Sequence, residues 1–294
     1  MNKKSYTPYV FIAPHLILFI IFFGLPAIFG IVVSFTKWNL VGTPEWVGLK
    51  NYAEILSNSS STFYFQFHNG LKNTLLFTLF SVPFCIIVPL SLAVGLNTKV
   101  KGHKIFQSIF YLPTLFSISS VILAWGFLFN KNFGPINKLL GKAIVWGGFG
   151  GGGIQPYTWI AIVIITVWWY IGANMVIYQA ALAGVPADMY EAASLDGAGP
   201  ITKFFKISLP SIKDQIAYTL VITTIAQLNV YGQPLMFSKG GPANSTFVMI
   251  MYIKQTAFGS GESIAGIASA MSVMLGLCVV FVASLQFYFL RQKA

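Results

Sequence analysis

The chain has 294 residues, of which 56% are hydrophobic, 16% aromatic and only 9% charged, and its net charge is +11. A mean hydropathy of +0.73 lies outside the balance of a soluble domain, so the sequence describes a membrane protein. Its cations form no stripe interleaved with exposed aromatics, which argues against a nucleic-acid partner and leaves topology and contact with anionic membrane lipid as their reading.

A hydrocarbon core of about 30 Å requires roughly 20 apolar helical residues. Six stretches reach that length without Lys, Arg, Asp or Glu: 10–33, 74–96, 105–129, 157–183, 215–238 and 263–290. The runs are continuous instead of alternating, which excludes a strand-built pore and predicts an all-α, polytopic protein with six transmembrane helices.

In chain order, "MNKKSYTP" precedes an apolar run too long for a signal h-region and lacking a small-residue cleavage site, so it reads as a retained first span. The following "WNLVGTPEWVGLKNYAEILSNSSSTFYFQFHNG" mixes turn residues with a helical pattern around Leu49–Leu56 and predicts a small external cap. Pro26, Pro83, Pro89, Pro113 and Pro234 fall within spans, where each removes a backbone hydrogen bond. They serve packing geometry or spans that bend during a conformational cycle. Cys85 and Cys278 also lie within spans and read as small apolar packing residues, with no disulfide or metal implied.

"WGGFGGGGIQP", residues 146–156, is too glycine-rich for a helix and reads as a flexible external turn. Gly141-Lys142 has Ile136 and Ala143 where a phosphate loop needs Gly and Ser or Thr, so no ATP site is recognisable. With the N-terminus inside, ten of the 18 Lys and Arg residues lie on the inner side: Lys3, Lys4, Lys99, Lys101, Lys104, Lys203, Lys206, Lys213, Arg291 and Lys293. The short, basic "NTKVKGHK" and "RQKA" favour that orientation, with both termini cytoplasmic.

Between the fourth and fifth spans lies the polar "AGVPADMYEAASLDGAGPITKFFKISLPSIKD". Pro186 suits a first helical position, Asp188 the positive first turn, and Gly197 a left-handed helix end. The result is a helix of about ten residues, some 15 Å, too short to span. Beyond Pro200, Ile201, Phe204, Phe205 and Leu209 share a face, while Lys203 and Lys206 point elsewhere, as in a segment lying at the interface.

"EAASLDGAGPITKFFKISLP" resembles the EAA loop of permease subunits of binding-protein-dependent ABC importers. Glu191, Ala192, Ala193, Asp196, Gly197, Ala198, Phe204, Ile207, Leu209 and Pro210 stand in the family positions. "YVFIAPHLILFIIFFGLPAIFGIVVSFTKWN", "WVGLKNYAEIL", "KGHKIFQSIFYLPTLFSI", "SKGGPANSTFVMIMYIKQTAF" and "GIASAMSVML" are similar, in order, to its carbohydrate-uptake branch. Asp214 and Ile267 depart from the usual proline and aromatic.

The resemblance implies a MetI-like transmembrane domain over 74–290, preceded by a first span and external loop over 1–73, with a coupling loop at 184–210 and a cytoplasmic tail at 291–294. It also implies cell-membrane localisation and the parts that the chain lacks: a second, homologous permease in a heterodimer, two ATPase subunits holding ATP and Mg, and an extracytoplasmic solute-binding protein. The short helix, with Glu191, Ala192, Ala193, Asp196, Gly197 and Ala198, would dock on an ATPase subunit. Met189, Ala192, Ala193 and Leu195 would divide between its groove and the bundle.

Sugars are held by planar hydrogen-bonding side chains and by aromatic rings stacked on their apolar faces. "TVWWYIGANM" and "QLNVYGQP" carry such residues, and in the resembling family these regions line the central cavity. Trp169, Tyr170 and Asn174, with Gln227, Asn229 and Tyr231, are the substrate candidates; interfacial anchoring and helix-to-helix bonding are the alternatives. The spans carry no acid and no Lys or Arg, and His15 reads as neutral, which argues against proton or ion coupling and favours a neutral carbohydrate; glycerol-3-phosphate or another small polar solute, bound through the partner permease, is the alternative. The sequence contains no HExxH motif or His/Asp cluster of an enzyme, and no internal repeat typical of a self-sufficient carrier.

Overall fold

The computed structural model describes residues 7–97, 101–148, 153–258 and 264–291. Lys3, Lys4, Lys99 and Lys293, counted above for orientation, and residues 149–152 of the glycine-rich turn lie outside the described residues. The helices are α1 (Thr7–Phe19), α2 (Leu25–Val33), α3 (Lys50–Leu56), α4 (Thr62–Asn97), α5 (His103–Leu115), α6 (Ile118–Leu128), α7 (Pro135–Leu140) and α8 (Tyr157–Ala183). They continue with α9 (Ala187–Leu195), α10 (Pro200–Lys203), α11 (Leu209–Ser211), α12 (Lys213–Leu228), α13 (Gly232–Ser238), α14 (Met249–Ala257) and α15 (Ile264–Arg291). One two-stranded ribbon pairs β1 (Thr36–Lys37) with β2 (Glu45–Trp46), antiparallel, Thr36 opposite Trp46. The chain forms two compact units, Met1–His68 with Met249–Cys278, and Asn69–Val248 with Val279–Ala294.

In the first unit, α1 and α2 join through a wide π-helical turn, Ile20–Gly24, in which the Leu25 N–H reaches back to the Ile20 carbonyl. The wide turn lies just before Pro26, which has no N–H to continue the helical ladder. The apolar rod Tyr9–Val33 is long enough to cross a bilayer, yet only 6% of its most apolar stretch is buried. Asn51 on α3 is the pin beneath it: its Nδ2 donates to the carbonyls of Ser34 and Thr36, both at 2.8 Å. Ser34 Oγ also meets the Tyr52 hydroxyl at 2.6 Å. The start of α15 is drawn onto this turn by a bond from Ala265 N to the Trp38 carbonyl. A side chain at Gly266 would overlap the Thr36 carbonyl oxygen, so only glycine permits this approach.

The second unit is organised around α8, whose bounds match the expected fourth span. Met175, Tyr178 and Leu182 of α8 pack with Ala93 of α4 and Ile212 before α12 into a fully buried cluster. The Tyr178 hydroxyl bonds Thr219 Oγ1 at 2.6 Å. Gly172 lets α5 approach α8, since a Cβ there would fall 2.8 Å from Tyr111 Cα.

Two of the six expected spans are interrupted in the described structure. Among the described residues four helices are long and apolar enough to cross, Tyr9–Val33, Thr62–Asn97, Tyr157–Ala183 and Ile264–Leu290, and a fifth if a bent pair counts as one span. The expected third span is α5 and α6 bent by 105°, because Pro113 ends the regular ladder and Ser117 caps a fresh helix through its bond to Ser120 N. The expected fifth span breaks between Leu228 and Gly232, where Tyr231 leaves the helical region (φ −146°, ψ −53°). The described part of the glycine-rich turn is tied down: Trp146 is buried, with Nε1 on Asn137 Oδ1 at 2.7 Å, and Gly148 N donates to the Phe237 carbonyl.

Candidate functional site

Two of the expected sites acquire geometry. At the break between α12 and α13, Trp169 and Tyr170 of α8 face Gln227, Asn229 and Tyr231 across a cavity of 180 Å³, with Ile118 and Gln233 in its wall. The two aromatic rings stand edge to face, 5.5 Å apart at 89°. The indole N–H of Trp169 is used structurally, donating to the Phe116 carbonyl at the α5–α6 bend (3.1 Å), which fixes the ring and leaves its face for contact.

Asn229 closes α12, its Nδ2 donating to the Ile225 carbonyl at 2.8 Å. Gln227 differs from the other residues of this wall. Its side chain is 1% exposed and Nε2 has no hydrogen-bond partner among the described residues. A buried amide donor left unmade costs about 1–3 kcal/mol. None of the lining residues is charged. A larger cavity of 620 Å³ among α4, α6 and α8 is lined by residues such as Leu76, Phe80, Val88, Ile160 and Ile164, and offers almost nothing to orient a polar ligand.

Asn174 does not belong to this cavity. It lies one turn along α8, nearly buried, with Nδ2 donating to the Cys85 carbonyl (2.9 Å) and to Thr223 Oγ1 (3.2 Å). The residue type was legible, but which face of α8 carried it was not. Gln233, almost fully buried in the wall, was missed, although Gly232 and Pro234 on either side of it mark the helix break that sets its place.

The second site is α9. Pro186 is its N-cap, one position earlier than expected, and Asp188 is in the first turn. The helix stops through a paired closure: Ala198 N donates to the Ala193 carbonyl (2.8 Å), Gly197 N to the Ser194 carbonyl (3.1 Å), and Gly197 is left-handed at φ +77°. No residue of α9 is buried; Glu191, Ala192 and Asp196 are exposed, Ala193 and Ala198 half-buried, and Leu195 is 90% exposed. Polar struts hold it: Tyr190 hydroxyl to Ser208 Oγ (2.9 Å), and Lys203 Nζ to Ser194 Oγ (2.6 Å). The face expected after Pro200 is rotated. A π-helical turn at Phe204–Ser208 inserts an extra residue, so Ile207 and Ser208 are buried while Ile201 and Phe205 are exposed.

The family model for the binding-protein-dependent transport system inner membrane component matches residues 63–293. The probable ABC transporter permease protein YesP of Bacillus subtilis is 32% identical over 100% of this chain and 94% of that protein. The probable starch degradation products transport system permease protein AmyD of Thermoanaerobacterium thermosulfurigenes is 32% identical over 99% and 96%. Among solved structures, a bacterial ABC transporter involved in the import of the acidic polysaccharide alginate superposes with a TM-score of 0.79 at 23% identity, covering 98% of this chain and 96% of that one. The chain therefore belongs to the inner-membrane components of binding-protein-dependent transport systems, the permeases of ABC transporters.

Proposed function

We propose that this chain is one permease of a heterodimeric ABC importer that carries a neutral oligosaccharide across the cell membrane. The observation that carries this reading is an aromatic, uncharged cavity at a helix break, with the amide side chains Gln227, Asn229 and Gln233 in its wall. Broken helices in transporters present backbone and polar side chains where a substrate passes. Trp169, Tyr170 and Tyr231 supply ring faces, and Gln227 and Asn229 supply a donor and an acceptor for hydroxyls.

In this reading α5–α6 and α12–α13 each count as one crossing, making six, with both termini cytoplasmic. Residues 1–73 form the first span and external cap, 74–290 the transmembrane domain and 291–294 the tail. The coupling loop, 184–210, presents α9 to one of two ATPase subunits, which hold ATP and Mg; the chain itself catalyses nothing. Exposed Leu195 and Met189 fit an apolar groove, Glu191 and Asp196 meet polar or basic groups, and the Gly197 turn with the Tyr190–Ser208 strut makes α9 a lever. Closure of the ATPase pair pushes the lever, the bundle turns its cavity outward to accept sugar from an extracytoplasmic binding protein, and hydrolysis resets it. Each ligand biases a two-state bundle.

The test is uptake by the assembled transporter of maltotriose, a starch degradation product, beside glycerol-3-phosphate and an alginate trisaccharide. Gln227→Leu is expected to raise KM for the neutral sugar about tenfold while ATPase copurification is unchanged. Preference for either anion, or a Gln227→Leu variant with wild-type uptake, overturns the assignment.

A further inference from the structure

Pro89 lies inside α4, so it has no N–H to give to the carbonyl four residues earlier, that of Cys85. That carbonyl is nevertheless bonded, from another helix: Asn174 Nδ2 of α8 donates to it at 2.9 Å. The same amide reaches Thr223 Oγ1 of α12 at 3.2 Å. All three residues are buried, Cys85 completely, so each polar group here is removed from water and from lipid.

Both other members of this clamp are one helical turn from the cavity. Asn174 follows Tyr170 by four residues on α8, and Thr223 precedes Gln227 by four on α12, which places each pair on a common helix face. A separation of α8 from α12 at the cavity therefore pulls on the amide that holds the proline-interrupted turn of α4.

We infer that Asn174 is a positioning residue: it caps the carbonyl freed by Pro89 and thereby makes α4, α8 and α12 move as one body beneath the cavity, while making no contact with the solute. The inference rests on the proposed transport only for its consequence; the clamp itself is testable without any sugar.

Assembled complexes carrying Asn174→Ala, Pro89→Ala and both substitutions are compared in a Cys278→Ser background. Asn174→Ala alone should lower the thermal midpoint by about 3 °C or more. It should also speed N-ethylmaleimide labelling of the buried Cys85, followed by mass spectrometry, by about tenfold through local opening. In the Pro89→Ala background α4 supplies its own N–H to the Cys85 carbonyl, so both effects should shrink by at least half. Equal effects in the two backgrounds overturn the inference.

If Asn174→Ala does not assemble, Thr223→Val, which removes only the second acceptor, decides: faster Cys85 labelling supports the clamp and the wild-type rate refutes it. In maltotriose uptake, Asn174→Ala should lower Vmax with KM within about twofold, whereas a raised KM at unchanged Vmax would make Asn174 a sugar ligand and end the proposal. If the wild-type complex does not take up maltotriose, the substrate reading fails while the midpoint and labelling cycles still decide the clamp.

Discussion

The Trp169 indole N–H and the Phe116 carbonyl, 3.1 Å apart, tie the aromatic wall of the cavity to the bend between α5 and α6. Phe116 is extended (φ −79°, ψ 146°), so its carbonyl has left the helical ladder and needs an outside donor. Trp169→Phe keeps a ring over the cavity but removes that donor. The expected result is a loss of about 1 kcal/mol of stability and a several-fold fall in sugar uptake, with Trp169→Ala worse on both counts. Thermal denaturation and transport kinetics of the two variants check this. Equal behaviour of Phe and Trp would make the hydrogen bond irrelevant.

Gly197 closes α9 at φ +77°, where a Cβ costs about 1–2 kcal/mol. Gly197→Val should therefore unwind the last turn of α9, and Gly197→Asn should be tolerated far better, since Asn enters the left-handed region readily. Copurification of the ATPase with the permease measures the outcome. Tyr190→Phe, which cuts only the strut to Ser208, should leave copurification intact and lower the uptake obtained per ATP hydrolysed.

In the first unit, Gly266→Ala should be among the most destabilising single-methyl additions in the chain. The methyl would overlap the Thr36 carbonyl oxygen and come within 2.8 Å of Asn51 Nδ2, the donor that pins Ser34 and Thr36. Overpacking of this kind costs about 1–3 kcal/mol. Asn51→Ala should match it by leaving two carbonyls unmet. Yield and thermal midpoint of the purified complex report both; Gly276→Ala, where nothing lies within 4 Å, is the control.

Glu54 offers a dependence on pH. Hydrogen bonds from Asn58 (2.9 Å) and then Ser61 hold its carboxyl below the ordinary value, against a small opposing effect of burial. A depressed folded pKa contributes stability above the unfolded value, and that contribution disappears as pH falls through the folded one. The difference in thermal midpoint between wild type and Asn58→Ala should thus be present at neutral pH and close on acidification below the carboxylate range. The effect is small because the group is largely solvated. A difference that widens in acid would contradict it.

What the sequence revealed depended on whether a feature is local. The bounds of α8, residues 157–183, follow from hydropathy because the whole helix lies in the apolar zone, and the left-handed turn at Gly197 follows from residue type. Helix α4 begins at Thr62, twelve residues before the expected Thr74, since a helix that continues past the lipid loses its hydropathic signal but not its hydrogen bonds. The α12–α13 break had local signals in Asn229, Gly232 and Pro234, but a run free of charged residues continues through it and so reads as one span. Of the cavity candidates, Trp169, Tyr170, Gln227, Asn229 and Tyr231 meet, and Asn174 is diverted to a carbonyl that a proline 85 positions upstream had released. That pairing is a tertiary fact with no trace in either residue's neighbourhood.

The rod Tyr9–Val33 adds almost nothing to the interior, with 6% of its most apolar stretch buried. Almost all of its surface is therefore left for contacts outside its own chain, with lipid or with a neighbouring subunit.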